Sequence, residues 1–129
     1  IIYTHKANSG AVIGRCAEVD FLRFVDSIAH LEGGVYLSVG SAVMSPMIFE
    51  KALSMVRNSG IAIKDASIRV ADLQEGSWDW NQGEPPENNP AYYQRFMKTF
   101  SRMGLRSHYL SIDNRALFVN LFNALHAKG

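Results

Sequence analysis

The chain has 129 residues, of which 47% are hydrophobic and 19% are charged, a balance typical of one globular domain with a buried core. Thirteen basic and twelve acidic residues leave a net charge of +1 without a long run of either sign, so we predict neither nucleic-acid nor membrane binding. No apolar stretch has the length of a membrane span, and we expect no leader segment. The single cysteine, Cys16, excludes an internal disulfide, so we expect a cytoplasmic protein in which Cys16 packs internally.

The first predicted element is a strand at residues 1–4, which are apolar and β-branched or aromatic. Because the sequence starts in the middle of this pattern and without Met, we expect it to be a fragment of a longer chain. Residues 5–15 combine Asn, Ser and Gly and predict a loop, or a loop that leads into a helix. Apolar residues at helical spacing predict a helix over 19–31, ended by Gly33 and Gly34.

A buried strand is predicted next, over residues 34–40, because the segment is short, β-branched and bounded by glycine. Ser45 has the side chain of a helix N-cap, and Pro46 after it is favoured as the first residue of a helix. Together they predict a helix over 46–58. The alternating pattern of residues 66–73 predicts another strand.

A long irregular loop is predicted over residues 74–89, which are rich in Gly, Pro, Asn and Glu. Loops of this length are often lids or binding loops. A second cap-and-proline pair predicts a helix over 89–104, followed by a strand at 106–112. Asp113 caps a last predicted helix over 114–127. The apolar side of that helix consists of Leu117, Phe118, Leu121, Phe122 and Leu125.

Strands and helices alternate along the sequence, which is typical of a parallel sheet with helices on its faces. We therefore predict a single α/β domain over residues 1–129. In such sheets, ligands bind at the carboxyl ends of the strands, where helix N-termini present unpaired N–H groups. The loops that follow the predicted strands are therefore the candidate sites.

The turn after the buried strand is the first candidate site. Gly40 and Ser41 would let the backbone approach a pyrophosphate at the start of the next helix. The alternative is a strand exit with small residues for packing, since Gly-Ser-Ala is not the GxGxxG pattern. Asp113 also has two interpretations, as an acceptor for a ribose hydroxyl or as a helix cap that serves stability alone.

The long loop is the second candidate site. It places Asp79, Glu84 and Glu87 beside Trp78 and Trp80, a set that predicts a cationic ligand held by charge and by aromatic faces. The alternative is an acidic loop that is simply solvated.

A lysine on the helix after the loop is a candidate nucleophile. Lys98 lies among Phe96, Met97 and Phe100, and desolvation by apolar neighbours can make a lysine reactive. The alternative is an ordinary surface charge. The four histidines show no ligand spacing, so we predict no metal site.

Four segments together resemble deoxyhypusine synthase. "LSVGSAVMSPMIFEKAL" looks like its glycine triplet followed by small residues and a helix, and "VADLQEGSWDWNQGEPPEN" is similar in placement to its Gln-Glu and its Asp- and Gly-rich substrate loop. "SIDNRALFVNLFNAL" is similar to the start of its closing helix, and "NSGAVIG" to its Thr-Asp-Gly-Ser-Leu-Gly turn. The chain also resembles bacterial deoxyhypusine-synthase-like proteins of unassigned role. The resemblance covers the carboxyl-terminal half of the family's domain.

The resemblance implies a Rossmann-like, mainly parallel sheet with helices on both faces, which binds NAD at the subunit interfaces of a homo-oligomer. In the synthase, spermidine is oxidised and its butylamine moiety passes to an enzyme lysine. The residues that the resemblance assigns to NAD are Gly40, Ser41, Ala42 and Asp113. It assigns the amine ligand to Asp79 and Glu87, beside Trp78 of the same loop, and it makes Lys98 the nearest candidate for the nucleophile.

Two departures from the family's pattern affect its chemistry. Pro46 stands where the family has a histidine, and Arg15 stands close to the position of an amine-binding aspartate. Because an arginine repels a cationic substrate, we expect an NAD-binding transferase or oxidoreductase for an amine or related small molecule, and not deoxyhypusine synthesis itself. The alternatives are a non-catalytic nucleotide-binding or assembly module on the same fold, and a sugar- or phosphate-binding domain of similar topology.

Overall fold

The computed structural model describes residues 2–127. Its helices and strands are, in chain order, α1 (Gly10–Ala29), β1 (Val35–Val39), α2 (Met44–Asn58), β2 (Ser67–Asp72), α3 (Arg95–Ser101), β3 (Arg106–Ser111) and α4 (Asn114–His126). Short 3-10 turns lie at Ile2–Thr4, Trp80–Gln82 and Pro90–Tyr93. Among these residues, no helix has the length and hydropathy of a membrane span.

The three strands form one parallel sheet in the order β1-β2-β3, which confirms the predicted α/β class. Leu37 of β1 pairs with Arg69 of β2, which in turn pairs with His108 of β3. Because the strands are parallel, their carboxyl ends meet on one side of the sheet. We call this side the carboxyl edge, formed by residues 40–43, 73–75 and 112–113.

The main core lies between one face of the sheet and the helices α1, α2 and α3. Ile68 of β2, Phe49 of α2 and Phe100 of α3 have no exposed surface. Tyr36 of β1 stacks on Phe49 with ring centroids 4.2 Å apart. Burial of each such side chain contributes about 1.5–3 kcal/mol, so this face of the sheet holds the three helices in place.

The first predicted strand is wrong for the residues that are described. Ile2–Thr4 form a 3-10 turn, and Ile1 lies outside the described residues. Strand propensity expresses how well a residue fits a paired, half-buried surface, and this segment pairs with none of the three strands. The chain leads instead to Ser9, whose hydroxyl caps α1 by accepting the N–H of Val12 at 3.4 Å.

Helix α1 begins at Gly10, earlier than the helix predicted over 19–31. Its first turns, residues 10–18, contain no buried side chain, so hydrophobic spacing could not reveal them. Cys16, which was expected to pack internally, is exposed on these turns. The later turns pack on the core through residues such as Phe24.

Helix α2 begins at Met44, with Val43 in the cap position, so the predicted cap at Ser45 is wrong. The hydroxyl of Ser41 accepts the N–H of Ser45 at 3.1 Å and thereby performs the capping expected of Ser45. Pro46 lies in the first turn as well, where a missing N–H is tolerated. The helix therefore starts closer to Gly40 than the sequence predicted.

The helix predicted over 89–104 is divided in two. Asn89 caps only the 3-10 turn Pro90–Tyr93, and α3 starts after Gln94. Gln94 is almost fully buried, and its side-chain amide donates to the carbonyl of Glu75 in the long loop. The break in the helix coincides with this contact to a distant segment, which a local pattern does not contain.

The second face of the sheet is mostly open. Helix α4 starts over this face, where Ala71 of β2 and Leu117 of α4 are buried outside the main core. Beyond Leu117 the described residues of α4 are all exposed. The expectation of helices packed on both faces therefore holds only for the start of α4. An apolar stripe predicts that a surface needs to be covered, but it does not identify what covers it.

Candidate functional site

The carboxyl edge brings together the two segments that were predicted to bind a cofactor. The N–H of Gly40 donates to the carbonyl of Ala71 at 2.9 Å, which holds the turn after β1 against β2. Gly40 has a φ of +64°, and a Cβ at this position would lie 2.9 Å from Nδ2 of Asn114. The turn therefore touches the start of α4 next to Asp113.

Asp113 caps α4, as the sequence predicted. Its Oδ1 accepts the N–H groups of Arg115 at 2.9 Å and of Ala116 at 3.3 Å. The guanidinium Nε of Arg115 lies 3.7 Å from the same oxygen. The described contacts all use Oδ1, so the other carboxylate oxygen can accept a ligand hydroxyl while the cap stays intact.

Three hydrogen-bonded hydroxyl groups link β1 to the first turn of α2, next to the turn after β1. The hydroxyls of Tyr36 and Ser38 each lie 2.7 Å from the hydroxyl of Ser45. Burial raises the pKa of Tyr36, against a smaller lowering by the hydrogen bond with Ser45. The hydroxyl of Ser41, which lies in this turn, also accepts the backbone N–H of Ser45 at the start of α2.

A cavity of about 230 Å³ lies beside the turn, between the first turns of α2 and α3. Ala42 and Pro46 line one side, and Arg95 and Phe96 line the other. The volume is below the roughly 300–1,000 Å³ of typical ligand pockets, so the cavity is too small for a whole dinucleotide. Most of its lining is apolar, with Val43 and Met47 beside the residues named, and its polar side chains are Arg95 and Thr99. Arg95 provides a positive charge for a phosphate at this position.

Lys98 is held by the long loop and by a tyrosine. Its Nζ lies 2.7 Å from Oε1 of Glu84 and 3.4 Å from the centre of the Tyr92 ring. The hydrogen bond from Lys98 lowers the pKa of Glu84, and a nearby Arg102 adds to the effect. These contacts tie the loop to α3.

We expect the Glu84→Gln substitution to lower thermal stability at neutral pH and to have little effect in strong acid. The pKa of Glu84 is lower in the folded chain than in the unfolded chain. The stabilisation that its charge provides is therefore present above the unfolded pKa and is lost as pH falls through the folded pKa. Thermal unfolding at both pH values measures this. Glu87→Gln is the control, because the one hydrogen bond of Glu87 within residues 2–127 is accepted from the Tyr92 hydroxyl, at 3.5 Å. An equal loss at both pH values would contradict the role of the charge.

Asp79 is occupied within the loop. It caps the 3-10 turn Trp80–Gln82, and it accepts both the backbone N–H of Asn81 at 3.1 Å and the side-chain amide of Asn81 at 2.8 Å. The bonds from Asn81, together with one from Gln82, lower the pKa of Asp79. Its carboxylate therefore shapes the loop.

The structure brings Glu84, Glu87 and Lys98 together around Tyr92, whereas the bonds of Asp79 and Trp78 stay within their own loop. Trp78 donates its indole N–H to the carbonyl of Gly83, within the loop. Glu87 and Lys98 both contact Tyr92, whereas the contacts of Asp79 are with the 3-10 turn. Within residues 2–127, no three His, Cys, Asp or Glu side chains lie as metal ligands would.

Several residues around the candidate site were not predicted from the sequence. Asn114 directly follows the predicted Asp113, and this adjacency was the available signal. Arg95 lines the adjoining cavity and Tyr36 bonds to Ser45, and neither gave a signal, because their positions result from packing of α3 and β1.

Comparison of the chain with protein-family models, curated proteins and solved structures finds no match. The resemblance to deoxyhypusine synthase therefore stays a prediction. The parallel sheet and its carboxyl edge are the basis for a functional proposal.

Proposed function

We propose that this domain is a deoxyhypusine-synthase-like protein that binds NAD at the carboxyl edge of its sheet. The observation that carries the proposal is the close approach of Gly40 to Asn114, where an added Cβ would lie 2.9 Å from the side-chain amide, so that the glycine turn lies against the start of α4. Open parallel sheets bind ligands at this position. In the proposed complex, the backbone of Gly40, Ser41 and Ala42 faces the pyrophosphate, and Asp113 accepts a ribose hydroxyl.

The adjoining cavity has room for part of the ligand. Its size accommodates one phosphate or ribose, so the rest of the dinucleotide would lie across the open edge. Pro46 has no N–H and the N–H of Ser45 is bonded to Ser41, so the first turn of α2 offers fewer donors than a typical phosphate site. The guanidinium of Arg95 compensates for the missing donors.

A non-catalytic binding protein is favoured over a transferase by the contacts of Lys98. A lysine nucleophile has to reach a bound substrate, and Lys98 is engaged by Glu84 and Tyr92. The cavity beside the turn is lined by other residues. We therefore propose a protein that keeps the nucleotide site of the synthase without its lysine chemistry.

Calorimetric titration of the whole chain with NAD tests the proposal. We expect heat of binding from the wild type and about tenfold weaker binding by Asp113→Asn, because a hydrogen bond to a charged group contributes about 1.5–3 kcal/mol. Asparagine is as good a helix cap as aspartate, so the substitution removes the charge and keeps α4. Asp65→Asn is the control, since Asp65 pairs with Arg106 at the start of β3.

Absence of heat from the wild type with NAD would overturn the proposal. Binding of inorganic phosphate or a sugar phosphate without binding of NAD would favour the sugar- or phosphate-binding alternative. Equal weakening by Asp113→Asn and Asp65→Asn would place the ligand away from the start of α4.

A further inference from the structure

A second cavity lies at the opposite end of the sheet from the carboxyl edge. Its volume is about 360 Å³, within the roughly 300–1,000 Å³ of typical ligand pockets. The walls come from the 3-10 turn Trp80–Gln82, the last turn of α3 and the start of β3. Arg106, the first residue of β3, lies roughly 20 Å from the carboxyl edge, because a strand rises about 3.3 Å per residue. The cavity is therefore separate from the proposed nucleotide site.

The buried part of the cavity lining is apolar. Trp80 and Leu105 line the cavity, and they are 3% and 6% exposed. Gly83 and Gly104 line it as well, and a Cβ added at either glycine would have no atom within 4 Å apart from its chain neighbours. There is therefore room beside two buried apolar side chains. A flat apolar group that packs against the indole would bury apolar surface on both partners.

The indole N–H of Trp80 is a buried donor without a partner. None of the described residues accepts a hydrogen bond from it, whereas the N–H of Trp78 donates to the carbonyl of Gly83 at 2.9 Å. Burial of an unpaired donor is unfavourable, and a buried tryptophan usually has a partner for this group. A ligand that brings an acceptor atom would satisfy the donor.

Arg106 carries the charge of the cavity lining. Among the described residues that line the cavity it is the one with an ionisable side chain, which is 69% exposed. Its Nη2 donates to Oδ1 of Asp65 at 2.7 Å. A guanidinium has five N–H groups, so the others can bind a second carboxylate. Since the side chains of Trp80 and Arg106 are donors only, they favour a ligand with acceptor atoms and a negative charge.

We propose that this cavity binds a small carboxylate with a flat apolar body. The carboxylate pairs with the guanidinium of Arg106 and accepts the indole N–H of Trp80, while the apolar body packs against Trp80 and Leu105. Because the indole N–H is shielded from solvent, binding includes an outward shift of the short 3-10 turn that carries Trp80. The ligand is opposite in charge to the cation predicted for the long loop, and its site is distinct from that of NAD.

The indole N–H signals of the whole chain provide a direct test, because the sequence contains two tryptophans. Sodium benzoate is the probe, proton–nitrogen NMR at constant ionic strength is the measurement, and the Trp78→Phe variant assigns the signals. We expect benzoate to move the Trp80 signal to saturation, with a dissociation constant of roughly 1–10 mM for a ligand of this size. Acetate lacks the apolar body, and benzamidine has a similar shape with a positive charge, so both should move the signal far less.

Three results would overturn the proposal. The first is a Trp80 signal that stays in place at about 30 mM benzoate. The second is an equal movement with acetate or with benzamidine, which would exclude recognition of the apolar body or of the charge. The third is a larger movement of the Trp78 signal than of the Trp80 signal, which would place the ligand outside the cavity.

Substitution of Arg106 tests the source of the charge. We expect Arg106→Gln to raise the dissociation constant for benzoate at least about tenfold, because it removes a charge-assisted hydrogen bond. Arg102→Gln is the matched control, since Arg102 is 71% exposed at the end of α3 and does not line the cavity. Equal weakening by the two variants would contradict the assignment to Arg106. Neither measurement involves NAD, so the carboxylate site and the nucleotide site can fail separately.

Discussion

Replacement of Phe100 by alanine is expected to lower the free energy of unfolding by about 3–5 kcal/mol, the range for a buried phenylalanine. Phe100 has no exposed surface. Its ring centroid lies 5.9 Å from that of Phe49 and 6.0 Å from that of Tyr36, so it joins α3 to both α2 and β1. Alanine would leave a cavity at the junction of three elements.

The consequence should extend beyond the core because α3 has only seven residues. A helix of this length is not stable by itself and depends on its buried side chains. Since Lys98 on the same helix holds the long loop through Glu84, loss of Phe100 should also loosen the loop.

Urea unfolding followed by circular dichroism measures the loss, and limited proteolysis measures exposure of the loop. Tyr93→Ala is the control, because Tyr93 is an aromatic residue of similar size that is 73% exposed. We expect the control to change stability by less than about 1 kcal/mol. Similar losses for the two variants would contradict the described core.

Replacement of Gly40 by alanine is expected to lower the free energy of unfolding by about 2 kcal/mol. A positive φ costs a non-glycine residue roughly 1–2 kcal/mol, and the added Cβ would lie 2.9 Å from Nδ2 of Asn114, so this exposed side chain would also have to turn away. Gly104→Ala is the matched control, since Gly104 has a φ of +72° and no atom within 4 Å of the added Cβ. The Gly104→Ala substitution should lower the free energy of unfolding only by the cost of the positive φ.

A double-mutant cycle isolates the contact with Asn114. Asn114→Ala removes the amide that an alanine at position 40 would meet. We therefore expect the combined variant to recover part of the stability that Gly40→Ala loses, and the effects to be non-additive. Strict additivity, or equal costs for Gly40→Ala and Gly104→Ala, would contradict the close approach of the turn to α4.

The three strands of the sheet were predictable because their signals are local. Residues 34–40, 66–73 and 106–112 are short β-branched or alternating runs between turn residues, and each contains an observed strand. The cap at Asp113 follows from the preference for an aspartate before a helix, and it is observed. Regular alternation of strands and helices was enough to predict parallel pairing.

The predicted amine site shows the limit of local signals. Charged and aromatic residues close together in a sequence can all turn toward their own loop, and Asp79 and Trp78 do so. Glu84 was grouped with the loop carboxylates, but its partner Lys98 lies on the following helix. Which carboxylate a lysine meets depends on how the loop folds back, and no spacing rule describes that.

The sequence by itself determined the α/β class, the parallel strands and the helix cap at Asp113, because hydrophobic period and capping act over a few neighbouring residues. Only the tertiary structure decided that Gly40 meets Asn114, that Gln94 interrupts the helix before α3, and that α4 leaves its apolar stripe exposed. Each of these depends on atoms from segments far apart in the chain. Their meeting is set by the packing of the whole domain.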